Sequence, residues 1–282
     1  MEQLIEYFAC FGEIPINVDI DPFESLEENI KNIYLNNIET LSSQIKPSYL
    51  LENPYRKLLI SIPRSDGKIF NIFKRANLPE SLGGTLINEI VKLGVLEVEK
   101  SREKPFRSNS KSPIKKELRQ YRIQSKVRFQ TPFYRFWFGF IEPHRDEILA
   151  GKLEHFWEDV DKRVSKTLSF TFENLSNALL ERLFEDKDPI FSKGSLWSKN
   201  GEFDLLCYTK NGRVILGECK FKGKKVCKSE LNKLKEKSQN AKLETDIFAL
   251  FSKSGFSREL EEFEEPNLML FGIKDFEILI KD

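Results

Sequence analysis

Asp204, then thirteen residues, then Glu218-Cys219-Lys220 is the combination of residue types and spacing best suited to chemistry in this chain. Two carboxylates offer hard oxygen ligands to a divalent cation such as Mg2+ (or Mn2+). A lysine beside them stabilises charge developing on a phosphate, or positions a metal-bound water and helps deprotonate it. These residues must meet for any of this to happen, and Thr209-Lys-Asn-Gly-Arg213 between them reads as a hairpin connection. A three-residue loop with Gly212 left-handed sets Leu206 opposite Leu216 and Asp204 opposite Glu218 on one face. A two-residue Asn-Gly turn would pair Asp204 with Cys219 instead and split the carboxylates between faces. The three-residue loop is preferred, and period two then adds Lys220 to the face of Glu218. Val214, Ile215, Leu216 and Cys219 make both faces of this strand apolar nearby, so the charges stand at the end of a buried strand. Burying them costs free energy unless they bind something. Asp204, Glu218 and the Cys219 carbonyl are therefore the candidate metal ligands, and Asp204, Glu218 and Lys220 the candidate catalytic groups. An ordinary cross-strand cluster at an exposed strand end is the competing explanation.

The surrounding elements are placed by periodicity. Val164, Leu168, Phe172, Leu175, Leu179 and Leu183 form one stripe of a helix predicted from about Val160 to Phe184. Pro189–Trp197, Glu202–Thr209 and Arg213–Phe221 then read as three consecutive strands, Ser229–Lys242 as a helix and Thr245–Ser252 as another strand. Phe256–Phe263 and Leu268–Ile280 add a short helix and one or two closing strands. Lys222, Lys224 and Lys225 directly follow the Glu-x-Lys strand and are candidates to track a phosphate backbone. Gln239, on the following helix, is a weaker candidate for positioning substrate.

Upstream, Leu26, Ile30, Ile33, Tyr34, Ile38 and Leu41 predict one amphipathic helix entered at Asp21-Pro22. Short helices at Tyr55–Ile62, Lys68–Ala76 and Ser81–Leu93 lead into a strand at Val95–Glu99, with a returning strand at Tyr121–Val127. This is the pattern of a winged helix. Its wing carries Lys104, Arg107, Lys111, Lys115 and Lys116, suited to neutralising phosphates. The last helix offers base edges only Thr85, Asn88 and Lys92, so sequence-specific readout is poorly supported, and a protein-protein spacer is the alternative role. Phe133 to Ile141 holds six aromatics. A buried packing segment is preferred there over a base-stacking platform. The expected organisation is a helical lead-in (1–50), a winged helix (51–130), an aromatic segment and linker (131–158) and a final α/β domain (159–282).

Composition narrows the function classes. The chain has 282 residues with 40% hydrophobic and 32% charged, enough to bury real cores. Cys10, Cys207, Cys219 and Cys227 form no C-x-x-C pair, and His144 and His155 are the only histidines, which argues against zinc and most histidine-centred schemes. The chain lacks an apolar run of membrane-span length or a signal-peptide layout, so a cytoplasmic protein without membrane partners is expected. A net charge of +1 hides segregation. Met1–Pro47 holds nine acids against two lysines, whereas Lys100–Arg128 holds eleven Lys/Arg against two acids and Lys220–Lys242 nine against two. Such blocks can be solvated faces, but two basic ones beside the motifs point toward a nucleic acid as partner.

With its preceding helix, meander, helix and strand, the Asp204…Glu218-Cys-Lys220 pattern resembles the PD-(D/E)XK nuclease superfamily. The resemblance implies a restriction-endonuclease-like α/β (α+β) domain, a central mixed sheet flanked by helices. It also implies a helix glutamate at the site, matched by Glu173 in Thr-Phe-Glu-Asn-Leu, as a further catalytic residue and metal ligand. The superfamily's proline before the aspartate is absent; Glu202-Phe203-Asp204 stands there. More widely, residues 55–142 with Phe-Trp-Phe-Gly-Phe-Ile-Glu-Pro, and Gly217-Glu-Cys-Lys220, resemble the C-terminal half of the archaeal and bacterial P-loop ATPase family carrying the domain of unknown function 234. Tyr7–Pro15 and Ser25–Ile30 are similar to the end of that family's ATPase module. No G-x-x-x-x-G-K-[ST] occurs, so ATP is not expected as a cofactor. The resemblance implies a Mg2+-dependent DNA nuclease. The alternatives are a non-enzymatic DNA-binding or assembly module retaining the fold, and an adaptor for a separate ATPase; self-association is also open.

Overall fold

The computed structural model describes residues 1–103, 121–199 and 201–280. Internal contacts divide the chain into two compact units, one within Glu6–Lys100 and Gln124–Thr167, the other within Met1–Ile5, Ser101–Ile123 and Leu168–Asp282.

The first unit is mostly helical. Helix α1 (Glu2–Phe11) was not expected from the sequence pattern. The helix expected over residues 26–41 is broken into α2 (Leu26–Ile30), a π-helical turn (Lys31–Leu35) and α3 (Ile38–Gln44). The Asn37 amide causes the break: it donates to the carbonyls of Asn32 (2.9 Å) and Ile33 (3.1 Å) and so takes them from the helical ladder. Ser25, rather than Asp21-Pro22, caps the start, its hydroxyl accepting from the Glu28 N–H. The elements expected of a winged helix follow as α4 (Tyr55–Ser61), α5 (Ile69–Ala76), α6 (Glu80–Lys92), β1 (Leu96–Glu99) and β2 (Lys126–Phe129). Strand β2 begins five residues later than expected, pairing Leu96 with Phe129 and Glu99 with Lys126. Its opposite edge is also occupied, because Val127 donates to the Gly67 carbonyl and Ile69 donates to that of Ser125.

The aromatic segment forms α7 (Pro132–Phe136) and a π-helix (Trp137–Ile141), followed by α8 (Arg145–Leu149). Phe133, Phe136, Trp137, Phe138 and Phe140 are buried, so this is core rather than a base-stacking surface. Phe136 packs on Tyr34 at 4.8 Å between centroids and Phe138 stacks on Phe129 at 5.6 Å. Glu142, which ends the segment, is fully buried between Arg56, whose Nε is 2.5 Å away, and the Trp137 indole N–H at 3.2 Å.

Helix α9 (Glu154–Phe184) begins in the first unit and belongs to the second from Leu168 onward. The second unit is a mixed five-stranded sheet flanked by helices. It contains β3 (Ile190–Ser192), β4 (Leu196–Ser198), β5 (Gly201–Phe203), β6 (Leu205–Thr209), β7 (Val214–Lys220), helix α10 (Lys228–Asn240), β8 (Ile247–Ser252), α11 (Arg258–Glu261) and β9 (Leu268–Gly272). The sheet runs β3-β6-β7-β8-β9, antiparallel as far as β7 and parallel from β7 to β9. Parallel β7 and β8 require a crossover, which α10 provides.

Two predicted strands are broken. Residues 189–197 divide into β3 and β4, and residues 202–209 into β5 and β6; β4 and β5 pair with each other in a separate hairpin. The hairpin leaves the sheet at Gly194 (φ +143°), between β3 and β4, where the backbone adopts a conformation that L side chains rarely enter, and at the bend residue Asp204, between β5 and β6. Residues 273–279 are a 3-10 helix, so the second closing strand does not form. One face of the sheet, with Leu206, Leu216, Phe248 and Leu250, packs on Leu231 and Leu234 of α10. On the other, Phe172 of α9 packs on Phe276, which meets Phe251.

Candidate functional site

The β6–β7 connection is the three-residue loop expected. Thr209 N–H donates to the Arg213 carbonyl, Gly212 has φ +83°, and Leu206 pairs with Leu216. The ladder ends at Leu205 opposite Gly217, and Asp204 is the bend residue just beyond it, between the hairpin β4–β5 and the sheet. Continuing the register sets it opposite Glu218. Its Oδ2 accepts the Cys219 backbone N–H at 2.8 Å.

Glu218 and Lys220 share the α10 face of β7, immediately past the buried Leu216. Glu218 is buried, and both of its oxygens are occupied by ammonium groups: Lys220 Nζ donates to Oε1 at 2.5 Å and Lys237 Nζ, from α10, to Oε2 at 3.2 Å. Glu230 of α10 lies 3.7 Å from Lys220. Burial and the charge of Glu218 push the Asp204 carboxyl up to about 6, against the opposing pull of the Cys219 amide and the two lysines. Burial acts to lower the Lys220 pKa, but the Glu218 hydrogen bond and the surrounding carboxylates prevail and raise it, so this lysine stays charged. Burial, followed by Asp204, raises the Cys219 thiol well above its ordinary range. That thiol is no thiolate ligand, which leaves the carbonyl as the group Cys219 can offer.

Asp204, Glu218 and Lys220 are thus brought together. Glu173 lies half-buried on α9, close enough to the Cys219 thiol to help raise it. Among the described residues no three His, Cys, Asp or Glu side chains group as a metal-holding set. Mg2+ does not demand one: it is commonly held by one or two carboxylates, with waters and substrate phosphates completing its shell. A half-buried Asp204 raised first by desolvation and then by the charge of the buried Glu218 fits that ion, since a cation offsets both.

Lys222, Lys224 and Lys225 are exposed in the loop that leaves β7 beside Lys220. Thr85, Asn88 and Lys92 are exposed along one face of α6. Lys104, Arg107, Lys111, Lys115 and Lys116 lie outside the described residues. Gln239 is exposed, two residues and so about 200° around α10 from Lys237, away from the carboxylates. The helix residues that do reach the site, Glu230 and Lys237, were missed from the sequence. Helix phase was the available signal: both fall on the face of Leu231 and Leu234, at i, i+4 and i+7 spacings.

Residues 137–238 match the model of a family described as archaeal and bacterial proteins of unknown function, the domain of unknown function 234. That span begins in the aromatic segment and takes in Asp204, Glu218, Lys220 and Lys237. No curated protein and no solved structure matches the chain. No helix among the described residues is long and apolar enough to cross a membrane.

Proposed function

We propose that the chain is a Mg2+-dependent phosphodiesterase of the PD-(D/E)XK type that acts on DNA. The observation that carries this reading is half-buried Asp204, at the bend between β5 and β6, set beside buried Glu218 at the end of β7, with Lys220 held against Glu218. Asp204, Glu218 and the Cys219 carbonyl would hold Mg2+ (or Mn2+), with Glu173 of α9 as the further carboxylate that the resemblance implies. When bound, the ion polarises a phosphate oxygen and supplies a water acidic enough to attack. Lys220 holds its charge against the scissile phosphate, and Lys222, Lys224 and Lys225 follow the backbone on either side. The basic stretch expected from the sequence as a wing, Lys104 to Lys116, would add sequence-independent affinity. A working relationship with a P-loop ATPase, as partner or as a preceding module, rests on residues 7–15 and 25–30, which lie outside the matched span.

Metal-dependent cleavage of DNA that disappears in Asp204→Ala tests the reading. The rival has its own observation in support: Glu218 is already neutralised by two lysines, as expected of a fold retained as scaffold. It predicts salt-sensitive DNA binding that is indifferent to Mg2+. An adaptor for a separate ATPase predicts neither binding nor cleavage.

A further inference from the structure

The two ammonium groups on Glu218 are not equivalent. Lys220 is 2.5 Å from Oε1, its side chain is 26% exposed, and Glu230 gives it a second carboxylate at 3.7 Å. Lys237 is 3.2 Å from Oε2 and 39% exposed, and its further hydrogen bond, to the Glu202 carbonyl, is long at 3.5 Å. A cation approaching Glu218 meets the repulsion of both ammonium groups, and the longer, wetter contact is the one that yields more easily. Lys237 also stands on a different element from the carboxylates, so its long side chain can swing away while α10 stays packed through Leu231 and Leu234.

We propose that Lys237 is the displaceable counter-ion of this site. It neutralises Glu218 while no metal is bound, leaves that carboxylate when a divalent cation takes its place, and turns to a phosphate of the substrate backbone. The inference rests on the metal-dependent reading above and adds a second phosphate-holding lysine, which the Glu-x-Lys pattern does not contain. It also explains how the buried Glu218 is neutralised before the metal arrives: the chain carries its own substitute cation.

The test uses the full chain as wild type, Lys237→Gln and Lys237→Arg. Calorimetric titration with Mg2+ measures metal affinity, binding of a short DNA duplex in Ca2+ measures phosphate contact, and metal-free melting checks folding. Lys237→Gln is expected to bind Mg2+ about tenfold more tightly, because a competing positive charge is gone, and DNA several-fold more weakly. Lys237→Arg restores both toward wild type. A lysine that merely supports the fold would weaken both affinities together with the melting temperature, which overturns the proposal. Unchanged Mg2+ affinity in a normally melting Lys237→Gln also overturns it while leaving the metal site standing. A wild type that takes up no Mg2+ overturns the metal reading, and this proposal with it.

Discussion

The backbone N–H of Cys219 donates to the carboxylate of Asp204 at 2.8 Å, tying the bend that follows β5 to the end of β7. This bond holds the aspartate where burial and Glu218 disfavour its charge, and its carboxyl is pushed up to about 6. A carboxyl raised in the folded state contributes stability that is complete below about pH 4 and is lost as pH rises through about 6. Asp204→Asn keeps an oxygen for the amide and removes the charge. In metal-free protein at pH 7 it is expected to stabilise the fold by about 1–2 kcal/mol, read as a higher melting temperature. The gain shrinks below pH 4, where wild type is protonated as well. A lower melting temperature at pH 7 would show that the aspartate is not under this repulsion.

Asp159 behaves in the opposite sense. Burial acts to raise its carboxyl, but hydrogen bonds from Arg163 and His144 and the charges of Arg163 and Arg64 outweigh it, and the value falls to about 2. Such a depressed group contributes stability above about pH 4 that is lost as pH falls through about 2. Asp159→Asn is expected to cost about 2 kcal/mol at pH 7 and almost nothing near pH 2, as measured by urea unfolding at the two values.

Glu142 is 1% exposed and paired with Arg56 inside the aromatic core. Removing Glu142 leaves the Trp137 indole N–H without its acceptor and the charge of Arg56, 30% exposed, without its carboxylate. Glu142→Ala is therefore expected to lose about 1–3 kcal/mol. Arg56→Met with Glu142→Leu should recover most of it, and a double variant as unstable as the single one would show that the pair is needed for more than charge balance.

On the proposed reading, the exposed lysines after β7 contact DNA rather than support the fold. Replacing Lys222, Lys224 and Lys225 by alanine should leave the melting temperature unchanged and lower the slope of log affinity against log salt by about 2–3. An unchanged slope would place the phosphate contacts elsewhere.

The carboxylate arrangement was legible in the sequence because a hairpin loop with one left-handed glycine fixes register, and register fixes faces. The loop with Gly212 left-handed set Leu206 opposite Leu216, and that register, continued one residue past the end of the ladder, brings Asp204 toward Glu218. The winged-helix elements were likewise written in short apolar repeats, although the returning strand was placed early. Its alternation from Tyr121 gave no sign that Gly67 and Ile69 would claim the backbone at 125–127. The break at Asp204 was hidden because a β pattern continues through a residue that changes sheets. Lys237 was hidden for a different reason: in a lysine-rich helix every face carries a lysine, and only packing shows which one points to a carboxylate.

The central claim, a metal-dependent phosphodiesterase built on Asp204, Glu218 and Lys220, is tested most directly by one titration. Mg2+ and Mn2+ are added to wild type, Asp204→Ala and Lys220→Ala in the presence of supercoiled plasmid and of a single-stranded oligonucleotide. Cleavage by wild type that rises with metal and is abolished in both variants, with DNA binding retained, is the predicted result. Cleavage retained in both variants would contradict the site. DNA binding by wild type with no cleavage at any metal concentration would contradict the activity.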